Sequence, residues 1–300
     1  LYNLVSSVLR ALGNSKTLLY FLILAAGLNI VLDLVFIIFF HWGAPGAAWA
    51  TVISQGVSGL LCLVYIWKAV PELRMKREDW HFNKDIAAKQ ISVGIPMGLQ
   101  YSITAIGTMM VQSSLNILGS YAVAAFTAGN KIECIFTQAF VAIGTTISTY
   151  NAQNIGAGKL DRVRQGFRAT DVIGCAYAVI AGFILFFAGK YFSYLFISDN
   201  ADVVIPMVDT YLRCVGMFLV PLYVVNCYRN GFQGMGYGLL PMLSGVAELV
   251  GRGVMAVIAA NKKSYTMACM ASPFAWVVAT VLLIVLYFYV MKDMKKKLCL

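Results

Sequence analysis

Long apolar runs fix the fold class of this chain before any other feature is considered. From Leu18 to Phe40 the only strongly polar side chains are Asn29 and Asp33, with Tyr20 half-polar. About 20 apolar residues are enough to carry a helix across a bilayer, and runs of that length recur to the C-terminal end. They lack the apolar-out, polar-in alternation of a transmembrane barrel. Helices are then the remaining way to satisfy the backbone in lipid. The composition agrees: 60% hydrophobic and 12% charged residues with a mean hydropathy of +0.77, where a soluble domain has about 45–50% and about 25%. The expected fold class is all-α, a polytopic membrane helical bundle.

The spacing predicts helices near 1–11 (a partial one), 16–40, 46–69, 88–118, 121–152, 160–188, 203–233, 236–260 and 265–291, hence eight complete spans. The one long polar break, 71–88, contains Pro71, charges of both signs and Trp80, and reads as a linker between two bundles, 1–70 and 89–300. The chain begins with Leu1 in what reads as a helix already under way, so it is expected to be a piece whose N-terminal part is missing. There is also an internal echo. Residues 2–13, "YNLVSSVLRALG", resemble 225–236, "VNCYRNGFQGMG", with Asn3 on Asn226, Gly13 on Gly236 and Arg10 aligned with Gln233.

The net charge of +10 does not call for nucleic acid. Lysine and arginine accumulate in cytoplasmic connectors, and here the basic connectors alternate with nearly uncharged ones. Arg10 and Lys16, then Lys68 to Lys89, then Lys159, Arg162, Arg164 and Arg168, then the tail lysines 292–297 are expected on the cytoplasmic side. Lys262 and Lys263 are the exception. The seven cysteines show no metal-ligand spacing and read as small helix-packing residues. The expected partners are the lipid bilayer and small organic molecules, with no nucleic acid, and the protein is expected to be monomeric.

Catalytic chemistry finds no support. The two histidines, His41 and His81, lie in connectors, and no HExxH, GxSxG or GxxxxGK[ST] pattern occurs. The chain reads as no enzyme, with no resident cofactor. What remains is charge inside spans. Asp33 at mid-helix costs about 2.5–3.5 kcal/mol if it meets lipid. Asn29 is four residues earlier, on the same helix face. A carboxylate beside an amide oxygen suits a small hard cation, or a proton kept on a carboxylate withdrawn from water. It equally suits an Asp that fastens two helices together, and spacing alone does not choose. Glu248 and Arg252 are spaced to pair within one helix, as are Asp209 and Arg213, while Arg229 lies toward a helix end where snorkelling suffices. Lys131 and Glu133 point to different faces, so with Asn130 they are candidates for the wall of a wet substrate cavity.

Two stretches carry a resemblance. "LRALGNSKTLLYFLILAAGLNIVLDLVFI" followed by "GAPGAAWATVISQ", and "AVAAFTAGNKIE" followed by "STYNAQNIGAGKLDRVRQG", are similar to the MATE (multidrug and toxic compound extrusion) transporters. Gln153, Asn154, Gly156, Ala157 and Gly158, with Arg162 behind them, form the most specific match. The resemblance covers essentially the whole chain. It implies two six-helix lobes with the first lobe incomplete, running from the end of helix four to helix twelve. It further implies export of organic, often cationic, compounds in exchange for sodium ions or protons, at the cell membrane. Asn29 and Asp33 match coupling-ion residues on helix five and Thr51 a ligand on helix six, so a metal role for Asp33 and Asn29 applies if the ion is sodium. A further acidic residue of that site would lie on helix one, outside this chain. Where some members carry a second-lobe acidic pair, this chain has Thr104 and Leu222, which argues against an ion site of that kind. The alternatives are a lipid-linked sugar flippase of the wider superfamily, whose cavity should be more basic, and a piece inactive alone.

Overall fold

The computed structural model describes residues 2–74, 81–195, 197 and 201–298. Among them every regular element is helical. The chain divides into two compact units, Leu1–Asn83 and Lys84–Leu300.

The first unit holds α1 (Tyr2–Ala11), α2 (Ser15–Leu34) and α3 (Ala44–Ala69). α1 stops because Gly13 adopts φ 81°, a left-handed conformation that costs glycine little. The Asn14 amide then reaches back to the Leu9 carbonyl at 3.1 Å. The Asn14 side chain accepts from the Thr17 amide at 3.3 Å, capping α2, and donates to the Tyr65 hydroxyl of α3 at 3.1 Å. α2 is mostly apolar, and among its described side chains only Ala25 is buried within this unit. It widens at its end into a π turn, Val35–Phe39, where the Phe40 amide bonds the Val35 carbonyl at 3.0 Å. Beyond the turn Trp42 stacks on Phe36 with ring centroids 5.1 Å apart, and Gly46 of α3 passes so close that a Cβ there would lie 3.0 Å from the Phe36 Cβ.

The second unit comprises α4 (Lys84–Leu118), α5 (Ser120–Gly156), α6 (Leu160–Ser193), α7 (Ala201–Gly216), α8 (Leu219–Gly234), α9 (Leu239–Lys262), α10 (Tyr265–Cys269) and α11 (Ala271–Lys297). Its core is aromatic. Phe140, Phe167, Tyr211, Tyr223 and Phe232 are fully buried where α5, α6, α7 and α8 meet. Tyr223 fits because Gly174 of α6 has no side chain: a Cβ there would lie 1.9 Å from the ring. The internal echo is a shared turn. Gly236 adopts φ 86°, its amide bonds Gln233 at 3.0 Å, and Tyr237 reaches back to Phe232 at 3.0 Å. The corresponding bond from Gly13 to Arg10 is 2.9 Å.

Among the described residues six helices, taking α10 and α11 as one, are long and apolar enough to cross a membrane, or seven if the bent pair α7–α8 is one span. Two expectations change. The span over 203–233 is not continuous: it bends by 54° between Gly216 and Leu219. A straight helix would drive the Pro221 ring against the Met217 carbonyl, four residues earlier, so the proline instead occupies the first turn of a new helix. α4 forms as expected and at 35 residues is long enough to cross, while Gln100, Thr104, Gln112, Ser113, Ser114 and Asn116 keep it more polar than the six. α4 also starts at Lys84, inside the expected linker. Trp80 lies outside the described residues.

The Gly174–Tyr223 contact is open to a thermal test. Gly174→Ala in the full-length protein should lower stability by about 1–3 kcal/mol, as overpacking does, read as a fall in Tm. Gly94→Ala, whose Cβ would meet nothing within 4 Å, should leave Tm unchanged or slightly raised.

Candidate functional site

In the first unit the structure brings Asn29 and Thr51 together. The Asn29 Nδ2 donates to the Thr51 Oγ1 at 3.5 Å, and that hydroxyl donates to the Ala47 carbonyl at 3.0 Å. Asp33 lies one helical turn beyond Asn29 and just before the π turn. It is half-buried, and its Oδ1 is sealed from solvent without a hydrogen-bond partner. A buried polar atom left unpaired costs about 1–3 kcal/mol, more if charged. A bound cation or proton would remove that cost. The three side chains Asp33, Asn29 and Thr51 offer oxygens of a carboxylate, an amide and a hydroxyl, which suits a hard cation and not a soft metal. Among the described residues no three His, Cys, Asp or Glu side chains gather as a metal cluster, so any cation here relies on Asp33 with neutral oxygens.

In the second unit the three cavity candidates part company. Lys131 and Asn130 are exposed, whereas Glu133 is 7% exposed and faces inward. Its Oε2 accepts from the Tyr211 hydroxyl of α7, and the Asn130 Nδ2 donates to that hydroxyl at 3.4 Å. Glu133 and Asn130 are thus joined through Tyr211, while Lys131 stands apart.

A cluster of three charges ties α8 to α9. Glu248 bridges Arg252 at 3.1 Å, the i, i+4 pair expected from spacing. It also bridges Arg229 of α8, whose Nε donates to the Ser244 Oγ at 3.1 Å. Sequence reasoning left Arg229 to snorkel, because its partner is on another helix. The Arg252 Nη1 donates to the Thr104 carbonyl of α4 at 3.4 Å, and Gln233 of α8 bonds Gln100 of α4 at 3.1 Å. Thr104, read as the place of a missing acid, therefore supports an arginine through its backbone. Asp209 and Arg213 pair at 2.9 Å as expected.

Sequence reasoning missed Asp171 of α6. Its carboxylate accepts from Tyr228 at 2.9 Å and Tyr223 at 3.3 Å, both on α8. Because it follows Arg168 by three residues, it reads as the end of a basic connector. The available signal was the apolar run that begins immediately after it.

Comparisons with known proteins agree with this architecture. The MatE family model matches residues 96–258, more than half of the chain. A probable multidrug resistance protein of Bacillus subtilis strain 168, YpnP, is 34% identical over 244 residues, which is 81% of this chain and 53% of that protein. A protein of Shewanella oneidensis named FAD transporter is 28% identical over 168 residues, 52% of this chain and 36% of that one. A solved structure, the outward-facing conformation of a multidrug resistance MATE family transporter of the MOP superfamily, superposes with a TM-score of 0.90 at 22% identity. The match covers 98% of this chain and 66% of that one. The chain spans about half the length of the curated relatives it matches.

The charge cluster generates its own prediction. Glu248→Ala leaves two arginines with side chains 13% and 7% exposed and no anion between them. Removing one partner of a buried bridge costs about 3–5 kcal/mol. Thermal unfolding of the full-length protein should show a loss of that order. A change within about 0.5 kcal/mol would mean that the cluster is solvated.

Proposed function

The chain belongs to the MatE family, and on that premise we propose that the full-length protein is an antiporter exporting organic cations in exchange for sodium ions or protons. The chain is a multi-pass membrane protein, with six helices apolar and long enough to cross. The observation that carries the proposal is Asp33, an intramembrane carboxylate with a sealed, unpartnered oxygen, one helical turn from an Asn29 that meets Thr51. Such a group is expensive in lipid unless it has a task.

The exchange runs by linkage. Asp33, with oxygens of Asn29 and Thr51, takes up the cation from outside. The bound charge stabilises the packing of α2 and α3 in which those oxygens converge. An exported compound that favours the other packing loses affinity when the cation binds, and by reciprocity weakens the cation. The basic connectors lie on the cytoplasmic side of the cell membrane, and the protein acts as a monomer with no resident cofactor. The relatives named multidrug resistance proteins support small organic cargo.

Asp33→Asn keeps the shape and removes the charge. In cells expressing the full-length protein it should cut gradient-driven ethidium efflux by roughly tenfold, within the range of about 1–3 kcal/mol for allosteric coupling. Asn29→Ala should fall between the two. Efflux of ethidium undiminished by Asp33→Asn at equal expression would sink the reading. Efflux of FAD instead of ethidium by the unaltered protein would replace the cationic substrate class with an anionic one.

A further inference from the structure

Glu133 is unlike the other acidic side chains that the second unit buries. Glu248 lies between two arginines, and the half-buried Asp171 accepts from two tyrosines at once. Glu133 is 93% withdrawn from solvent by its own unit, at 7% exposure, and has Tyr211 as its bonding partner. The groups facing it are Tyr211 from α7, Cys269 from α10 beside that tyrosine, Arg252 from α9, and Asn130 and Cys134 from α5 itself. Lys131 is turned outward, and Arg252 is already bonded to Glu248 and Thr104. No cation touches the Glu133 carboxylate among the described residues. An ionised carboxylate in that position has lost its water and has Arg252 as a counter-charge only through space, not in contact, so a proton competes for it.

We propose that Glu133 is a proton-binding site of the second unit, whose occupancy α7 senses through Tyr211. The geometry serves both protonation states. Ionised, Glu133 accepts the Tyr211 proton, and Asn130 donates to the phenol oxygen, as observed. Protonated, Glu133 donates its own proton to the phenol oxygen, and Tyr211 turns its hydroxyl to the Asn130 carbonyl after that amide rotates. An amide offers both a donor and an acceptor. The proton is exchanged directly with water when the site opens on the side of exposed Asn130, and no bond other than O–H forms or breaks. The ionised state is also within reach, because the Arg229–Glu248–Arg252 cluster carries one surplus positive charge.

The consequence falls on α7. Gly129, one turn before Glu133, leaves room for the Tyr211 ring: a Cβ there would lie 2.4 Å from it. Tyr211 is fully buried, so the hydroxyl is its anchor on α5. α7 is the half of the bent span that ends at Gly216, five residues on. Reversing the hydrogen bond at its anchor changes how firmly α7 is held against α5. This site is separate from the cation site around Asp33 and stands whichever ion binds there.

The test needs no transport. Full-length protein in lipid vesicles is titrated with acid while infrared spectra record the C=O stretch of protonated carboxylic acids. One pH-dependent band should vanish in Glu133→Gln, persist in Asp33→Asn and shift in frequency in Tyr211→Phe. Backbone hydrogen exchange across Ala201–Gly216, corrected for its intrinsic pH dependence, should change with the same midpoint, and that change should be lost in Glu133→Gln. A titration spectrum identical in the unaltered protein and Glu133→Gln overturns the proposal. Should Glu133→Gln not fold, Tyr211→Phe decides alone: an unshifted set of bands overturns it.

Discussion

The bridge from Arg229 through Glu248 to Arg252 is the interaction on which the second unit depends. A charge inside a bilayer must be matched by the protein, since no water is present to do so. Here two arginines and one glutamate on α8 and α9 meet, and the guanidinium of Arg252 reaches further to a carbonyl of α4. The packing is built around the cluster: Gly107 of α4 has no side chain where a Cβ would come within 3.2 Å of the Arg252 stem. Ser244 takes the Arg229 Nε and Gln233 pairs with Gln100, while the Arg252 Nε is buried without a partner among the described residues. An expensive set of groups thereby becomes a fastening among three helices.

That cluster supplies the standard by which the other carboxylates are judged. Asp171 is satisfied by two phenols, so it reads as structural. Asp209 and Asp293 have cations at 2.9 and 2.8 Å. Glu133 has a phenol but no cation, and the Oδ1 of Asp33 has nothing. The degree of mismatch orders the residues from fastening to function. An unmatched carboxylate is tolerated where a mobile charge completes it part of the time, and those are the two positions for which we propose exchangeable cations.

Much of this was legible in the sequence because lipid imposes strong local rules. The helices α2, α3, α5, α6, α9 and α11 follow from apolar length, and Glu248–Arg252 from i, i+4 spacing. The repeated glycine turns at Gly13 and Gly236 follow from the internal echo. What stayed hidden depends on contacts between helices. Arg229 meets Glu248 across 19 residues, and Tyr211 meets Glu133 across 78. No periodicity reports either. Pro221 was visible, but the break it causes depends on its clash with Met217 in a continued helix. The meeting of Asn29 with Thr51 came from the family resemblance, since nothing local in "AWAT" marks that threonine as facing α2.

The central claim is that a cation bound at Asp33 is thermodynamically linked to the exported compound. Equilibrium ethidium binding to purified full-length protein, followed by fluorescence against pH and against sodium concentration, measures that linkage directly. The account predicts that one of the two cations weakens ethidium binding in the unaltered protein and that this dependence falls sharply in Asp33→Asn. An equal dependence in both proteins would contradict it.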